Sequence, residues 1–320
     1  MPFPDSTSVT AIALDPFVVH DPRFEDVLGE SPRLVKVVEA DAHEGPVYVA
    51  EEDALYFSTL PRGRETGSPA VDIKRLALDG AEFPLDQDRI TVLRTNANAV
   101  NGMTLGLDGR LVVCEQGTLC GLARISLIDR KTGAAQTAID AFDGRPLNSP
   151  NDVVVTRDGA IWFTDPSYGH LQGFRPPPAL ADSVYRHDPS SGRTDLVANG
   201  FDKPNGLAFS PDERVLYVSD NGAPHHLRAF AVDDGKPSGP GRVLAIGTPE
   251  HPDGLKVDSE GRIYASASTG VHVLAPDGDL LGEISLPGAV NFCFGGPDRN
   301  ILFITADTAI FAAFLNAKGA

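Results

Sequence analysis

Six similar stretches of the chain each begin with a side chain that carries an oxygen donor. None of the six opening residues is histidine or cysteine. Ligation by oxygen alone is typical of hard divalent cations such as Ca²⁺, Mg²⁺ and Mn²⁺. Facing carboxylates would also be costly to bury unless a positive charge lay among them. The pattern therefore predicts a divalent-cation site, provided that the fold brings together Glu44, Asn101, Asn151, Asn205, Asp253 and Asn291.

Ordinary turn chemistry offers a second interpretation of these residues. Asn and Asp in front of strands commonly bond the local backbone, and Asn-Gly and Asp-Gly pairs are frequent in turns. Six copies in register, two of them carboxylates, are harder to explain in this way than any single copy. A mixed case is also open, in which Asn101 and Asn291 are structural or face substrate while the others bind the metal.

The segments that follow the six residues have the pattern of a repeated β-hairpin. In "NDVVVTRDGAIWF" and "NGLAFSPDERVLY", a short strand-like run leads through an acidic turn to a second one. The opening residues lie 57, 50, 54, 48 and 38 positions apart, and a period of about 50 residues is typical of propeller blades. An acidic residue stands seven positions after each opening residue: Glu51, Asp108, Asp158, Asp212, Glu260 and Asp298.

Further strand-like runs complete each repeat, so four strands per blade are expected. Only 29 residues follow Asn291, barely enough for three strands. A segment within residues 1–43 is therefore predicted to supply the missing outer strand and close the ring, which removes the sheet edge. The sequence predicts an all-β fold, a six-bladed β-propeller that forms a single domain over residues 1–320. Trp162 is expected to pack between blades.

Such a ring would place the six opening residues at one mouth of its central channel. The first strand of every blade lines the axis and runs in the same direction. The second strands return to the same end, where their last residues are candidates for substrate contact or for orienting ligands. A solvated loop side chain is the alternative for each of these residues, namely Ser58, Glu115, Asp165 and Asp220.

The long connection 166–183 leaves from this same face. It is rich in proline and carries Tyr168, His170 and Phe174. A loop of this kind is either a semi-rigid lid beside a site or an inert connection.

Composition narrows the class of partner. Lys plus Arg number 27 against 44 Asp plus Glu, a net charge of −17, so nucleic acid and anionic membrane surfaces are poor partners. The start of the chain lacks the pattern of a secretory signal, and no stretch has the roughly 20 apolar residues of a membrane span. A cytoplasmic location with reduced thiols is expected. A bridge between Cys114 and Cys120 is left open.

Several of the motifs resemble the gluconolactonase/regucalcin (senescence-marker protein) family. They are "EGPVYV", "NSPNDVVV", "PNGLAFSPDERVLYVSDNG", "PDGLKVD" and "FCFGGPD", and the resemblance runs from about residue 40 to 306. It implies a six-bladed propeller with an axial divalent metal and hydrolysis of sugar lactones. The segment from Asn101, "NGMTLGLDGRLVVCEQG", looks more like bacterial gluconolactonases than animal regucalcins. The metal ligands that the resemblance implies are Glu44, Asn151, Asn205 and Asp253, and Asn101 would then face the substrate.

The function expected from these residues is metal-assisted hydrolysis of a small-molecule sugar (aldono-) lactone. The cation, Ca²⁺ in first place and Mg²⁺, Mn²⁺, Zn²⁺ or Fe²⁺ as alternatives, would polarise the ester carbonyl and lower the pKa of a water. Asp253 is the predicted general base. Two other functions are open, hydrolysis of organophosphates or aryl esters at the same site and a calcium-binding propeller without catalysis. The predicted substrate contacts are Asn101, Glu115, Asp165 and Tyr168.

Overall fold

A computed structural model describes residues 16–63, 68–223, 225–244 and 252–320. The first elements are β1 (Phe17–Val19), a short helix α1 (Phe24–Leu28) and β2 (Arg33–Glu39). The part of the predicted closing segment that precedes residue 16 lies outside the described residues. The rest of the described chain folds mainly into antiparallel sheets.

The next three sheets follow one another along the chain as blades 1 to 3. Blade 1 contains β3 (Ala42–Val49), β4 (Ala54–Thr59), β5 (Ile73–Ala77) and β6 (Ile90–Arg94). Blade 2 contains β7 (Val100–Leu105), β8 (Leu111–Glu115), β9 (Arg124–Ile128) and β10 (Ala135–Ile139). A two-stranded ribbon follows, with β11 (Ala141–Phe142) and β12 (Arg145–Pro146). Blade 3 contains β13 (Val153–Val155), β14 (Ile161–Asp165), helix α2 (Tyr168–Leu171), β15 (Ser183–Asp188) and β16 (Arg193–Ala198).

Three more sheets complete the ring as blades 4 to 6. Blade 4 contains β17 (Pro204–Phe209), β18 (Val215–Asp220), β19 (His226–Asp233) and β20 (Lys236–Val243). Blade 5 contains β21 (Leu255–Val257), β22 (Ile263–Ala267), β23 (Gly270–Leu274) and β24 (Leu280–Ser285). Blade 6 contains β25 (Asn291–Gly295), β26 (Ile301–Thr305) and β27 (Ala309–Phe314). The predicted six-bladed β-propeller is confirmed.

The ring closes in the way that the length of the last repeat predicts. Strand β2 pairs antiparallel with β27, from Arg33 opposite Phe314 to Glu39 opposite Ala309, and so becomes the fourth strand of blade 6. Strand β1 adds a feature that the sequence did not predict. It pairs with β24 and gives blade 5 a fifth strand.

Apolar side chains between neighbouring blades form the core. Trp162 lies in the cluster between blades 3 and 4, where its ring meets Phe209 edge to face at 5.1 Å between centroids. This confirms its predicted position. Helix α1 contributes Phe24 and Val27 to the cluster between blades 5 and 6.

Two other sequence expectations bear on the fold. Cys114 is buried and Cys120 is exposed, and both are free thiols, so the bridge that was left open is absent. Across the described ranges, no helix combines the length and apolar character needed to cross a bilayer.

Candidate metal centre

Five of the six opening residues line one cavity at the axis of the propeller. The cavity has a volume of about 160 Å³. The sixth residue, Asn291, is buried beside it. The side chains that the axial repeat contributes to the lining are Glu44, Asn101, Asn151, Asn205 and Asp253.

Close packing of the innermost strands brings these residues together. The amide N–H of Gly102 donates to the Asn151 carbonyl at 2.8 Å, and that of Gly206 donates to the Asp253 carbonyl at 3.1 Å. A Cβ on Gly102 would lie 2.6 Å from the Asn151 carbonyl oxygen. The glycine that follows an opening residue therefore lets adjacent blades approach closely enough to share one small cavity.

A repeated hydroxyl on the second strand of the blades fixes the backbone of these residues. Thr164 Oγ1 donates to the Asn205 carbonyl at 2.8 Å, and Ser219 Oγ donates to the Asp253 carbonyl at 3.1 Å. Ser58 and Thr305 make the equivalent bonds to the carbonyls of Asn101 and His43, at 3.2 and 2.7 Å. Each of these hydroxyls reaches the inner strand of the next blade, so it sets the position of the neighbouring donor.

Sequence reasoning missed this repeat, although the signal is present in the chain. The hydroxyl follows the apolar run of the second strand in "LYFS", "WFT", "YVS", "YAS" and "FIT". Ser58 belongs to this register, whereas Glu115, Asp165 and Asp220 stand one position later.

Glu44 is a buried carboxyl held in one orientation. Its Oε2 accepts from the backbone N–H of Gly45 at 3.0 Å and from Asn291 Nδ2 at 2.8 Å. Burial raises the pKa of Glu44 to about 8, and the negative charge of Asp253 adds to the effect. Asn291 thus orients Glu44 and lies outside the lining of the cavity.

Asp253 lies in hydrogen-bond contact with both Glu44 and Asn205. Burial raises the pKa of Asp253 to about 7, and the charge of Asp152 contributes next. Two carboxyl groups in contact in a buried site cannot both ionise unless a cation compensates them. Without a compensating cation, burial therefore favours a form in which the pair holds a shared proton.

The chemistry of this donor set fits a hard divalent cation. Two carboxylates, which repel each other when ionised, stand among carboxamide oxygens at one small cavity. Within the described parts of the chain, no group of three or more His, Cys, Asp or Glu side chains is placed to hold a metal ion. A cation here would therefore depend on carboxamides as well as carboxylates, from Glu44, Asn151, Asn205 and Asp253.

Lys256 joins three blades through an ion pair and a hydrogen bond that the sequence did not predict. Lys256 Nζ on β21 lies 4.0 Å from Asp152 Oδ2, at the start of blade 3. The same ammonium donates to Asn291 Oδ1 at 3.4 Å. Asn291 Oδ1 also accepts from the Phe292 N–H at 2.8 Å, and these two donors leave Asn291 Nδ2 to donate to Glu44.

His43 is a residue of the cavity lining that sequence reasoning missed. Its Nδ1 lies 2.7 Å from Asp307 Oδ1, a contact that fixes the plane of the imidazole. Asp307 belongs to blade 6 and His43 to blade 1, so only the closed ring brings them together. No spacing in the sequence could have indicated this pair.

Tyr168, a predicted substrate contact, lines the cavity from helix α2. Its hydroxyl accepts from Asn205 Nδ2 at 3.3 Å. Burial raises the pKa of Tyr168 well above its ordinary value, and the nearby charge of Asp253 adds to the rise. Tyr168 thus presents a neutral phenol beside Asn205.

Glu115 and Asp165, the other two predicted substrate contacts outside the axial ring, are buried and do not line the cavity. Glu115 Oε2 accepts from Arg124 Nε at 2.7 Å and from Asn98 Nδ2 at 2.8 Å. Asp165 accepts from the backbone N–H groups of Asn148 and Ser149, both at 2.8 Å. Burial raises the pKa of Asp165 to about 7. Both carboxyls thus bond other protein groups and do not line the cavity.

Asp220 has a similar place in blade 4, where it accepts from the backbone N–H groups of Asp202 and Lys203. Acidic residues at the ends of second strands therefore bond the loops that enter the blades. Their spacing predicted this end of the propeller, but only the packing shows that Asp165 and Asp220 turn toward backbone N–H groups and Glu115 toward Arg124 and Asn98.

Fold and site together define a six-bladed propeller with an oxygen-rich axial cavity. Comparison with known proteins identifies the family to which the chain belongs. The family model described as "SMP-30/Gluconolactonase/LRE-like region" matches residues 42–308, and the chain belongs to this family of gluconolactonase-like lactonases.

Named relatives agree with this assignment. The chain is 34% identical over 307 residues to a gluconolactonase from Zymomonas mobilis, covering 89% of this chain and 82% of the relative. It is 35% identical to a gluconolactonase of known structure from Xanthomonas campestris, with a TM-score of 0.80 and coverage of 94% and 95%. A calcium-binding regucalcin from Agrobacterium tumefaciens, at 19% identity and a TM-score of 0.67 with coverage of 89% and 97%, shares the fold.

Proposed function

We propose that this protein is a divalent-metal-dependent hydrolase of sugar (aldono-) lactones. The observation that carries the proposal is the pair of buried carboxyl groups, Glu44 and Asp253, in contact at the axis among carboxamide oxygens. Membership of a lactonase family supports the reaction class.

Glu44, Asn151, Asn205 and Asp253 would hold the cation. Ca²⁺ is the first choice because all the donors are oxygens and half of them are neutral carboxamides; Mg²⁺, Mn²⁺, Zn²⁺ and Fe²⁺ are the alternatives. When bound, the cation supplies electrophilic stabilisation of the ester carbonyl oxygen as negative charge develops there. Asp253 would act in its ionised form, because a bound cation would compensate the charge of the carboxyl pair.

Asp253 is the proposed general base. Its carboxylate takes a proton from the water whose oxygen bonds to the lactone carbonyl carbon. The ester bond between that carbon and the ring oxygen then breaks, and the ring oxygen receives a proton to become a hydroxyl. The product is the open-chain hydroxy acid, and no other reactant is needed.

The other lining residues suit a small polyol. The cavity volume of about 160 Å³ is below the roughly 300–1,000 Å³ of pockets for drug-sized ligands, which favours a single sugar ring. Asn101 and the phenol of Tyr168 can exchange hydrogen bonds with ring hydroxyls. We therefore propose them as substrate contacts, together with His43.

Metal analysis of the purified protein, followed by a pH-drop assay over aldonolactones, aryl esters and organophosphates, tests the proposal. Lactone hydrolysis should disappear with chelator and return with added cation. Asp253→Asn should lower turnover by about 10² to 10⁴-fold, the usual share of a general base, while the propeller stays folded. Chelator-resistant activity would contradict the metal dependence. Unchanged activity in D253N would remove Asp253 as the base, and hydrolysis of phosphotriesters alone would favour the organophosphatase alternative.

A further inference from the structure

One wall of the cavity comes from the connection between β14 and β15. Tyr168, Gln172 and Phe174 all line the cavity, and all three lie within seven consecutive residues of this connection. Helix α2 is only four residues long and cannot hold its own position. Some other group must therefore fix this wall.

Arg175 directly follows the wall, and its guanidinium is hydrogen-bonded to two separate segments. Arg175 is buried, with an exposed fraction of only 6%. Its Nε donates to the Asn148 carbonyl at 3.0 Å and its Nη2 to the Leu147 carbonyl at 3.1 Å. Its Nη1 donates to the carbonyls of Thr118 and Gly121, at 3.0 and 2.8 Å.

These acceptors tie the wall to two neighbouring loops. Leu147 and Asn148 belong to the entry into blade 3, whereas Thr118 and Gly121 belong to the loop after β8 in blade 2. The backbone N–H of Arg175 also donates to the Gly169 carbonyl at 3.0 Å, which closes the turn that follows α2. One side chain thus bonds the loops of two blades to the segment that carries Tyr168 and Phe174.

Two glycines beside Arg175 leave room for its side chain. A Cβ on Gly117 would lie 2.9 Å from Arg175 Nη1, and Gly117 has a φ of +76° that favours glycine. A Cβ on Gly169 would lie 3.0 Å from Arg175 Cβ and closer still to Cγ. All four side-chain bonds go to backbone carbonyls, and these need the planar fork of several donors that lysine lacks.

We propose that Arg175 is the positioning residue of the substrate-facing wall. By fixing Tyr168, Gln172 and Phe174, it holds the connection 166–183 as a preformed part of the site. The positioning role of Arg175 does not depend on the proposed lactonase function. Its expected effect on KM does, because that effect needs a lactone substrate. Lactones that fit the fixed wall gain affinity because no loop has to be ordered when they bind.

Arg175→Met and Arg175→Lys test the inference, with Arg145→Met as the matched control. Arg145 is exposed, and its Nη1 donates one hydrogen bond of 3.4 Å to the Ala179 carbonyl in the same connection. R175M should raise KM at least about 10-fold, equivalent to about 1.4 kcal/mol, with a smaller change in kcat. R175K should recover part of the affinity, and R145M should stay within about 2-fold of wild type.

Limited proteolysis gives a readout that needs no substrate. Cleavage within 166–183 should be faster in R175M than in wild type or R145M, because the connection loses its anchor. Wild-type cleavage rates in R175M and R175K would overturn the inference, as would an unchanged KM in both. If the wild-type protein hydrolyses no lactone, the proposed function is wrong. The proteolysis experiment would still decide the role of Arg175. If R175M fails to fold, R175K decides both readouts.

Discussion

The carboxyl pair formed by Glu44 and Asp253 is the residue-scale feature on which the proposed chemistry depends. Each group is buried, and each lies close to the charge of another acid. Lys256, which donates to the Asn291 amide that bonds Glu44, is already engaged with Asp152 and Asn291. The pair therefore needs either a proton or a cation from outside the protein.

This need predicts how pH changes the stability of the metal-free protein. Folding raises the pKa of both carboxyls above the unfolded value of about 4, so the folded state holds more protons between pH 4 and about 8. The free energy of unfolding should therefore fall as the pH rises from 5 to 8. The fall is up to about 1.4 kcal/mol for each unit by which folding raises the pKa of a carboxyl. Urea unfolding of chelator-treated protein at several pH values measures the slope.

Glu44→Gln is the control for this effect, because it keeps the shape of the side chain and removes its charge. The slope should be smaller in E44Q, and added cation should stabilise wild type more at pH 8 than at pH 5. Equal slopes in wild type and E44Q would contradict the shared-proton description of the pair.

At the scale of elements, the second strands position the donors. The hydroxyls of Ser58, Thr164, Ser219 and Thr305 each bond a backbone carbonyl on the inner strand of the adjoining blade. The donors thus take their positions from a neighbouring blade as well as from their own. This coupling explains how six short strands can present their side chains to one small cavity.

Ser219→Ala should destabilise the protein by about 1 kcal/mol, because the buried carbonyl of Gly206 loses the hydroxyl and that of Asp253 keeps only the N–H of Gly206. Ser126 is the matched control. It is also fully buried on a strand, but its hydroxyl has no hydrogen-bond partner among the described residues. S126A should therefore be neutral or stabilising. Denaturant unfolding of both variants measures the difference, and equal losses would argue against the role of Ser219.

At the scale of the whole molecule, ring closure joins the two ends of the described chain. Strand β2 completes blade 6, whose innermost strand carries Asn291, the partner of Glu44. Closure also brings Asp307 to His43. Strand β2 contributes no residue to the cavity, but the geometry of the cavity depends on it because it closes the ring.

Val37→Ser on β2 and Val18→Ser on β1 separate the closing strand from the accessory one. Val37 is fully buried, whereas Val18 is 40% exposed. V37S should cost about 2 to 3 kcal/mol because a hydroxyl replaces packed apolar surface, and V18S should stay within about 0.5 kcal/mol of wild type. Thermal and denaturant unfolding compare the two variants. Equal stability would mean that β2 is not essential to closure.

The sequence by itself determined the number of blades, the closing strand and the end of the propeller at which the site lies. It could do so because strand alternation, turn residues and the repeat of about 50 positions are local properties of the chain. The same repeat predicted the residues around the axis, since equivalent positions of a closed ring must face one another. Five of the six line the cavity, and Asn291 packs behind Glu44.

Only the tertiary structure decided which polar side chains reach the cavity and which are occupied elsewhere. Glu115 and Asp165 look like site residues in sequence, but they bond to Arg124 and to backbone N–H groups. Arg175 and the pair of His43 and Asp307 could not be recognised, because their partners are distant in sequence. The direction of a side chain depends on packing and on hydrogen bonds across blades, and no local pattern encodes these.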